Sequence, residues 1–174
     1  MSVDLARFVR DVADFPLAGV VFKDLTPLLA DAAAFAAAID ALIAPFRRCG
    51  IERIVGIEAR GFIFGAAAAH ALAAGFVPMR KPGKLPSTRI GVDYALEYGR
   101  DRLEMHADAL VRGERVLIVD DVLATGGTLA AAAELCERAG AEIAGATVVA
   151  EIAVLGGRAR WNRDAPLHAA MRFG

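Results

Sequence analysis

The sequence predicts an α/β fold, a parallel sheet flanked by helices. Short apolar runs of strand length recur along the chain, helix-period segments separate them, and those segments close at glycines. The runs at 53–57, 76–79, 116–119 and 143–150 are apolar throughout or nearly so, as strands covered on both faces must be. Between them helices are expected over 62–74 and 128–139, closed by Gly75 and Gly140. That β-α-β-α-β order implies parallel pairing with helices on both faces. Upstream, Leu5, Phe8, Val9 and Val12 keep helical spacing. Phe35, Ile39, Leu42, Ile43 and Phe46 keep it again after a cap at Asp31, in a helix expected to end at Gly50.

Composition narrows the function classes. A length of 174 residues suits one domain, 1–174, that buries roughly two-thirds of its extended surface. Lys+Arg 20 against Asp+Glu 21 leaves a formal charge of −1, so no global positive field holds a nucleic acid. Hydrophobic residues make up 56%, with 38 alanines among them, and 24% are charged, a balance that fits a packed core and not a disordered chain. Cys49 and Cys136 are too few and too far apart for a disulfide framework or a metal knuckle, so a reducing cytoplasm is expected. Asp4, Arg7, Arg10 and Asp11 break up the amino-terminal stretch, which does not read as a secretory signal. The uncharged stretch 61–79 approaches the length of a membrane span, but it is alanine-rich and His70, Gly75 and Pro78 interrupt it, so no membrane association is expected.

In parallel sheets ligands lie beyond the carboxyl ends of the strands, and the loops there are unusual. In V-L-I-V-D-D-V-L-A-T-G-G-T, residues 116–128, a buried strand leads through Asp120 and Asp121 into a glycine turn that opens a helix. Adjacent carboxylates suit the two hydroxyls of a ribose. Ala124, Thr125, Gly126, Gly127 and Thr128 bare N–H groups and hydroxyls at a helix amino end, a cradle for a phosphate. Thr-Gly-Gly-Thr is also a common turn and cap, and the two aspartates also suit capping. Neither G-x-x-x-x-G-K-[ST] nor G-x-G-x-x-G occurs, so triphosphate hydrolysis and dinucleotide redox lose their usual signatures.

In G-I-E-A-R-G-F, residues 56–62, Arg60 stands between a strand end and a helix start, where a guanidinium can grip a diphosphate or simply pair with Glu58. The loop M-R-K-P-G-K-L-P, residues 79–86, gathers Arg80, Lys81 and Lys84. Seventeen of the twenty basic residues are arginine, so two of the three lysines standing this close points to point-charge phosphate recognition, or to chance. Residues 94–106 alternate around Gly99-Arg100-Asp101 as two strands of a hairpin flap able to cover a site. Within it Glu97, between Leu96 and Tyr98, is either a proton-transfer group or part of a solvated strand face.

Five blocks, V-V-F-K-D-L-T-P-L-L, G-I-E-A-R-G-F-I-F-G, R-K-P-G-K-L-P, Y-A-L-E-Y-G and V-L-I-V-D-D-V-L-A-T-G-G-T, follow in order and spacing from about residue 20 to residue 158. The chain thereby resembles the adenine phosphoribosyltransferases, purine-salvage enzymes of the type I phosphoribosyltransferase family and fold. The resemblance implies that Asp120 and Asp121 hold the ribose hydroxyls and that Ala124 to Thr128 wrap the 5′-phosphate. It places Arg60, Arg80, Lys81 and Lys84 on the pyrophosphate, with Mg2+ carried chiefly by the diphosphate and no direct protein ligand. Val21, Phe22, Lys23 and Leu155 would form the adenine pocket, and Glu97 and Tyr98 the catalytic part of the flexible flap. Substrates and products would be adenine, phosphoribosyl pyrophosphate, AMP and pyrophosphate. The resemblance further implies a homodimer, and a small hood built from the N-terminal part, to about residue 40, and the C-terminal segment. Related 6-oxopurine enzymes carry an acid where this chain has Ala124, which turns attention to Glu97 as the base catalyst. No lysine follows Lys84 to read an oxopurine carbonyl. Residues 159–174 match the pattern weakly. His70, His106 and His168 lack partner spacing and read as packing or surface residues, and Cys136 as a small buried one. A ligand-sensing regulator on the same fold would need a basic surface, and a sugar-phosphate kinase or phosphatase would need a nucleophile or Walker lysine; neither is evident.

Overall fold

A computed structural model describes residues 3–95 and 100–174. A single 3-10 turn, Leu5–Phe8, capped by the Asp4 carboxylate accepting from the Ala6 N–H, leads into strand β1, Arg10–Ala13, which pairs antiparallel with β2, Val21–Asp24. This corrects the helix expected across Leu5 to Val12. Four apolar positions do not distinguish one turn plus a strand from two turns, and cross-strand ion pairs decide the matter: Arg10 with Asp24 at 2.7 Å and Lys23 with Asp11 at 2.6 Å.

Two helices follow, α1 over Thr26–Ala30 and α2 over Ala32–Ile43. The Asp31 carboxylate accepts from the Ala34 N–H at 2.8 Å, the N-cap expected from sequence. The helix stops well before Gly50, because Pro45 enters a 3-10 turn, Ala44–Phe46. Strand β3 is Arg53–Ile57, helix α3 is Gly61–Leu72 and strand β4 is Gly75–Met79. Gly75 does not close α3. Ala73 takes the left-handed conformation at φ 52°, and Gly75 opens the next strand, where its missing Cβ leaves room for the Arg53 side chain beside it. The uncharged stretch 61–79 is thus one helix and one strand, and among the described residues no helix is long and apolar enough to cross a membrane.

Strands β5, Arg89–Ala95, and β6, Arg100–His106, form the expected hairpin. Arg100 pairs with Ala95 and Asp101 with Tyr94, so both are strand residues and not part of a Gly-Arg-Asp turn. Glu97 and Tyr98, in the connection, lie outside the described residues. Strand β7, Arg115–Leu123, runs further than the apolar run suggested and includes both Asp120 and Asp121; α4 follows at Gly127–Arg138 and β8 at Glu142–Ile152. Two 3-10 turns, Ala153–Leu155 and Gly157–Arg160, precede β9, Leu167–Phe173.

The central sheet has the order β4-β3-β7-β8-β9, parallel throughout, as the sequence predicted. The C-terminal strand β9, expected with the hood, is an edge of this sheet. Alternate residues of β3 and β7 feed two cores. Ile54, Leu117 and Val119 face α2 and α3, packing with Leu42 and Phe64; Val55, Val116 and Ile118 face α4 and the β5–β6 hairpin, packing with Leu103, Met105 and Leu135. Because α3 leaves to one face and α4 to the other, the sheet changes winding direction between β3 and β7.

Phe64 is fully buried against the sheet. Phe64→Ala is expected to lower the free energy of unfolding by about 3–5 kcal/mol, as read from a urea melt; a loss under about 1 kcal/mol would contradict this packing.

Candidate functional site

At the point where the winding reverses, the carboxyl ends of β3 and β7 open a crevice, the usual ligand position in such sheets. Helices α3 and α4 both begin there, after Arg60 and Gly126, and no side chain caps either N-terminus. Their first-turn N–H groups and the positive ends of their dipoles are left for an anion. Within Thr-Gly-Gly-Thr, Gly126 is the N-cap of α4 and brings no side chain to it. Gly126 sits at φ 81°, and a Cβ there would strike the carbonyl of Gly157, while a Cβ on Gly157 would strike that of Ala124. Two backbones thus touch, that of the glycine turn and that of the segment after β8. Ala124, Thr125, Gly126 and Thr128 line a recess of about 170 Å³, and Gly127 is buried behind it.

Asp120 and Asp121 are strand residues, not caps, and Asp120 lines this recess. Asp120 is buried, accepts from the Asp121 N–H at 2.9 Å, and lies so close to the start of α3 that a Cβ on Gly61 would come 2.8 Å from its Oδ1. Burial, reinforced by the neighbouring Asp121 charge, pushes the Asp120 carboxyl well above the usual carboxylate range. Asp121 Oδ2 lies 2.5 Å from Arg60 Nε but out of line for a hydrogen bond, so it is an ion-pair contact with acceptor capacity to spare.

A larger cavity of about 600 Å³ joins this recess. Val21, Phe22 and Lys23 of β2 form one wall, Leu155 another, and Arg60, Asp120, Asp121 and Thr128 the floor. The Arg60 guanidinium stacks over the Phe22 ring at 4.9 Å, and Phe15 meets that ring edge-on at 5.1 Å. The base-pocket and ribose-phosphate residues named from sequence are therefore contiguous. Lys23 Nζ itself is turned to Asp11.

The expected diphosphate cations are present, each already paired with an acid. Arg60 does not pair with Glu58, as one sequence alternative had it, but with Asp121. Glu58 instead holds the lysine-rich loop: its carboxylate accepts from Lys84 Nζ at 2.5 Å, the Lys81 N–H at 2.9 Å and Arg80 Nε at 3.3 Å. Burial raises the Glu58 pKa, and these donors outweigh it, holding the carboxyl at about 2. Lys81 Nζ reaches across to Asp101 and to Tyr94 Oη on the hairpin. Of this loop, Lys81 lines the larger cavity, and Arg80 and Lys84 stand behind it. Sequence alone offers Glu58 only as a partner for Arg60 and gives Tyr94 and Asp101 no role at the site. The one signal for Glu58 was its place between a strand end and Arg60; nothing local marks the other two. Among the described residues no three metal-ligating side chains cluster.

A family model for the phosphoribosyl transferase domain matches residues 28–165. The adenine phosphoribosyltransferase of Xanthomonas euvesicatoria pv. vesicatoria is 57% identical over 165 residues, 95% of this chain and 89% of that protein. The crystal structure of adenine phosphoribosyltransferase from Rhodothermus marinus superposes with a TM-score of 0.93 at 48% identity, covering 97% of this chain and 96% of that one. The enzyme from Saccharomyces cerevisiae, complexed with an imino-altritol bisphosphate and adenine, superposes with a TM-score of 0.90 at 40% identity, covering 96% of each chain.

Because the folded pKa of Glu58 lies below its ordinary value of 4.5, its ion pairs stabilise the fold above that pH and are lost as pH falls toward 2. The stability gap between wild type and Glu58→Gln should therefore shrink across that window in urea melts. A gap that stays constant would show that the charge of Glu58 does not hold the loop.

Proposed function

We infer, from the adenine phosphoribosyltransferase family to which this chain belongs, that it catalyses the purine-salvage transfer of a 5-phosphoribosyl group from phosphoribosyl pyrophosphate to N9 of adenine, giving AMP and pyrophosphate. The observation that carries the reading is the meeting of two adjacent carboxylates with an uncapped, glycine-opened helix N-terminus at the winding switch of a parallel sheet.

The residue roles follow from that geometry. Asp120 and Asp121 accept from the ribose hydroxyls, which offer the buried pair the donors it lacks, and Ala124 to Thr128 hold the 5′-phosphate on α4. The N9 lone pair forms the new bond to the anomeric carbon as the bond to the pyrophosphate oxygen breaks, and the electron pair leaves with pyrophosphate. Negative charge grows on the leaving group, so Arg60 and Lys81, with Arg80 and Lys84 behind, lower the barrier by being in place beforehand. Mg2+ suits a site of this kind as an ion that arrives on the diphosphate, with Asp120 and Asp121 the nearby oxygen donors, and it would supply further charge neutralisation there. Phe22 stacks on the purine, the backbone of Val21 and Lys23 reads its edge, and Leu155 closes the pocket. Glu97, with Tyr98 beside it in the β5–β6 connection, takes the N9 proton of adenine. The β1–β2 hairpin and the turn through Leu155 serve as the hood over the base. We assign the protein to the cytoplasm, where its two free cysteines stay reduced, and to a homodimer.

Ultraviolet-monitored incubation of adenine with phosphoribosyl pyrophosphate and Mg2+, run beside hypoxanthine, guanine and xanthine, tests the reaction: adenine is consumed and the oxopurines are left. Consumption of an oxopurine in place of adenine would refute the base specificity. Glu97→Ala should lower kcat by roughly a hundredfold or more with little change in KM; an ordinary kcat would remove Glu97 from proton transfer.

A further inference from the structure

Each cation at the crevice has a resident acid, and one of these pairs differs from the rest. Arg80 and Lys84 stand behind the cavity on half-buried Glu58, and Arg60 lies on Asp121. Lys81 lines the cavity, with its side chain one-third exposed (33%), and its acid stands outside the central sheet, on the β5–β6 hairpin. Tyr94 and Asp101 stand directly opposite each other in that hairpin. Lys81 Nζ donates to the Asp101 carboxylate and, at 2.8 Å, to the hydroxyl of Tyr94; that hydroxyl donates to Asp101 Oδ2 at 2.9 Å. Thr128 Oγ1, in the first turn of α4, stands 3.4 Å from the same hydroxyl, so a polar chain runs from the phosphate cradle through the hairpin to the lysine.

We propose that Asp101, supported by Tyr94, is a resident counter-anion that competes with the diphosphate for Lys81, which leaves the carboxylate for a phosphate oxygen on binding and returns to it on release. The proposal rests on the functional reading above, because the diphosphate is the competitor. Its physical basis is the cost of a partly buried ammonium without a partner, which the carboxylate offsets before diphosphate binds. Burial lowers the Lys81 pKa, and its bonds to Asp101 and Tyr94 more than reverse this, so the lysine stays charged and ready. A lysine suits the exchange better than an arginine: it is a compact point charge on a flexible stem and needs no planar fork to be matched by its next partner. A resident acid also weakens the hold on pyrophosphate after the transfer, when tight binding would only slow release. Tyr94 and Asp101 are thus positioning residues that act through Lys81.

The test is a double-mutant cycle on the full chain, titrating pyrophosphate in the presence of Mg2+ into wild type, Asp101→Asn, Lys81→Met and the double variant. Asp101→Asn should bind pyrophosphate roughly three- to tenfold more tightly than wild type, whereas a merely structural role for the acid would weaken binding. In the Lys81→Met background the same change should leave affinity unaltered. A tightening that survives the loss of Lys81 would reveal only relief of general repulsion between Asp101 and the anion, and would overturn the exchange. Tyr94→Phe, which keeps the acid and loosens its hold, should shift affinity in the same direction by less; weaker binding there would also count against the proposal. If wild type makes AMP and binds pyrophosphate while Asp101→Asn gains nothing, the exchange alone is wrong. A wild type that neither binds pyrophosphate nor makes AMP overturns the functional reading and the exchange with it.

Discussion

The structure is organised around a carboxylate that an interior ordinarily rejects. Asp120 lies in the middle strand of the central sheet, walled by β3 and β8 and followed at once by a second acid. Burying such a pair is unfavourable unless donors and positive potential come to it. The Asp121 N–H donates to Asp120, and the amino end of α3 brings positive potential close to it, an approach that Gly61 permits. Gly126 and Gly157 meet a second requirement, the contact between the glycine turn and the backbone after β8. Burial and the neighbouring Asp121 charge give Asp120 a raised affinity for a proton.

The positive side of the site follows the complementary rule. Four cations face or back the cavity, and each rests on an internal acid: Asp121, Glu58 or Asp101. Such pairing keeps the side chains ordered and charged before substrate arrives, so less ordering is left for the moment of binding. It also explains why a net charge of −1 says little about this site. The positive potential is local and partly neutralised by these acids.

Much of this was legible in the chain. Strands over apolar runs, helices over periodic ones, the Asp31 cap and the site at strand ends are consequences of short-range pattern, and the structure contains them. The errors share a cause. The stretch from Leu5 to Val12 carries too few apolar positions to separate helix from strand, and pairing with β2, fifty or so ångströms of chain away when extended, chose strand. Gly75 looked like a helix stop, yet a left-handed Ala73 ended α3 first. The tail, with little motif to recognise, gained a fixed place as β9 only by pairing with β8.

By itself the sequence determined the α/β class, the crevice at the ends of β3 and β7, and the residue types needed for a ribose phosphate, because periodicity, glycine freedom and helix-end polarity act within a few residues. Only the tertiary structure decided which acid each cation holds, that Glu58 anchors the lysine loop, and that Tyr94 and Asp101 face Lys81 across a hairpin. Those pairings depend on strand register and on which loops meet in space, and a charge finds the nearest unpaired opposite charge wherever the chain happens to bring it.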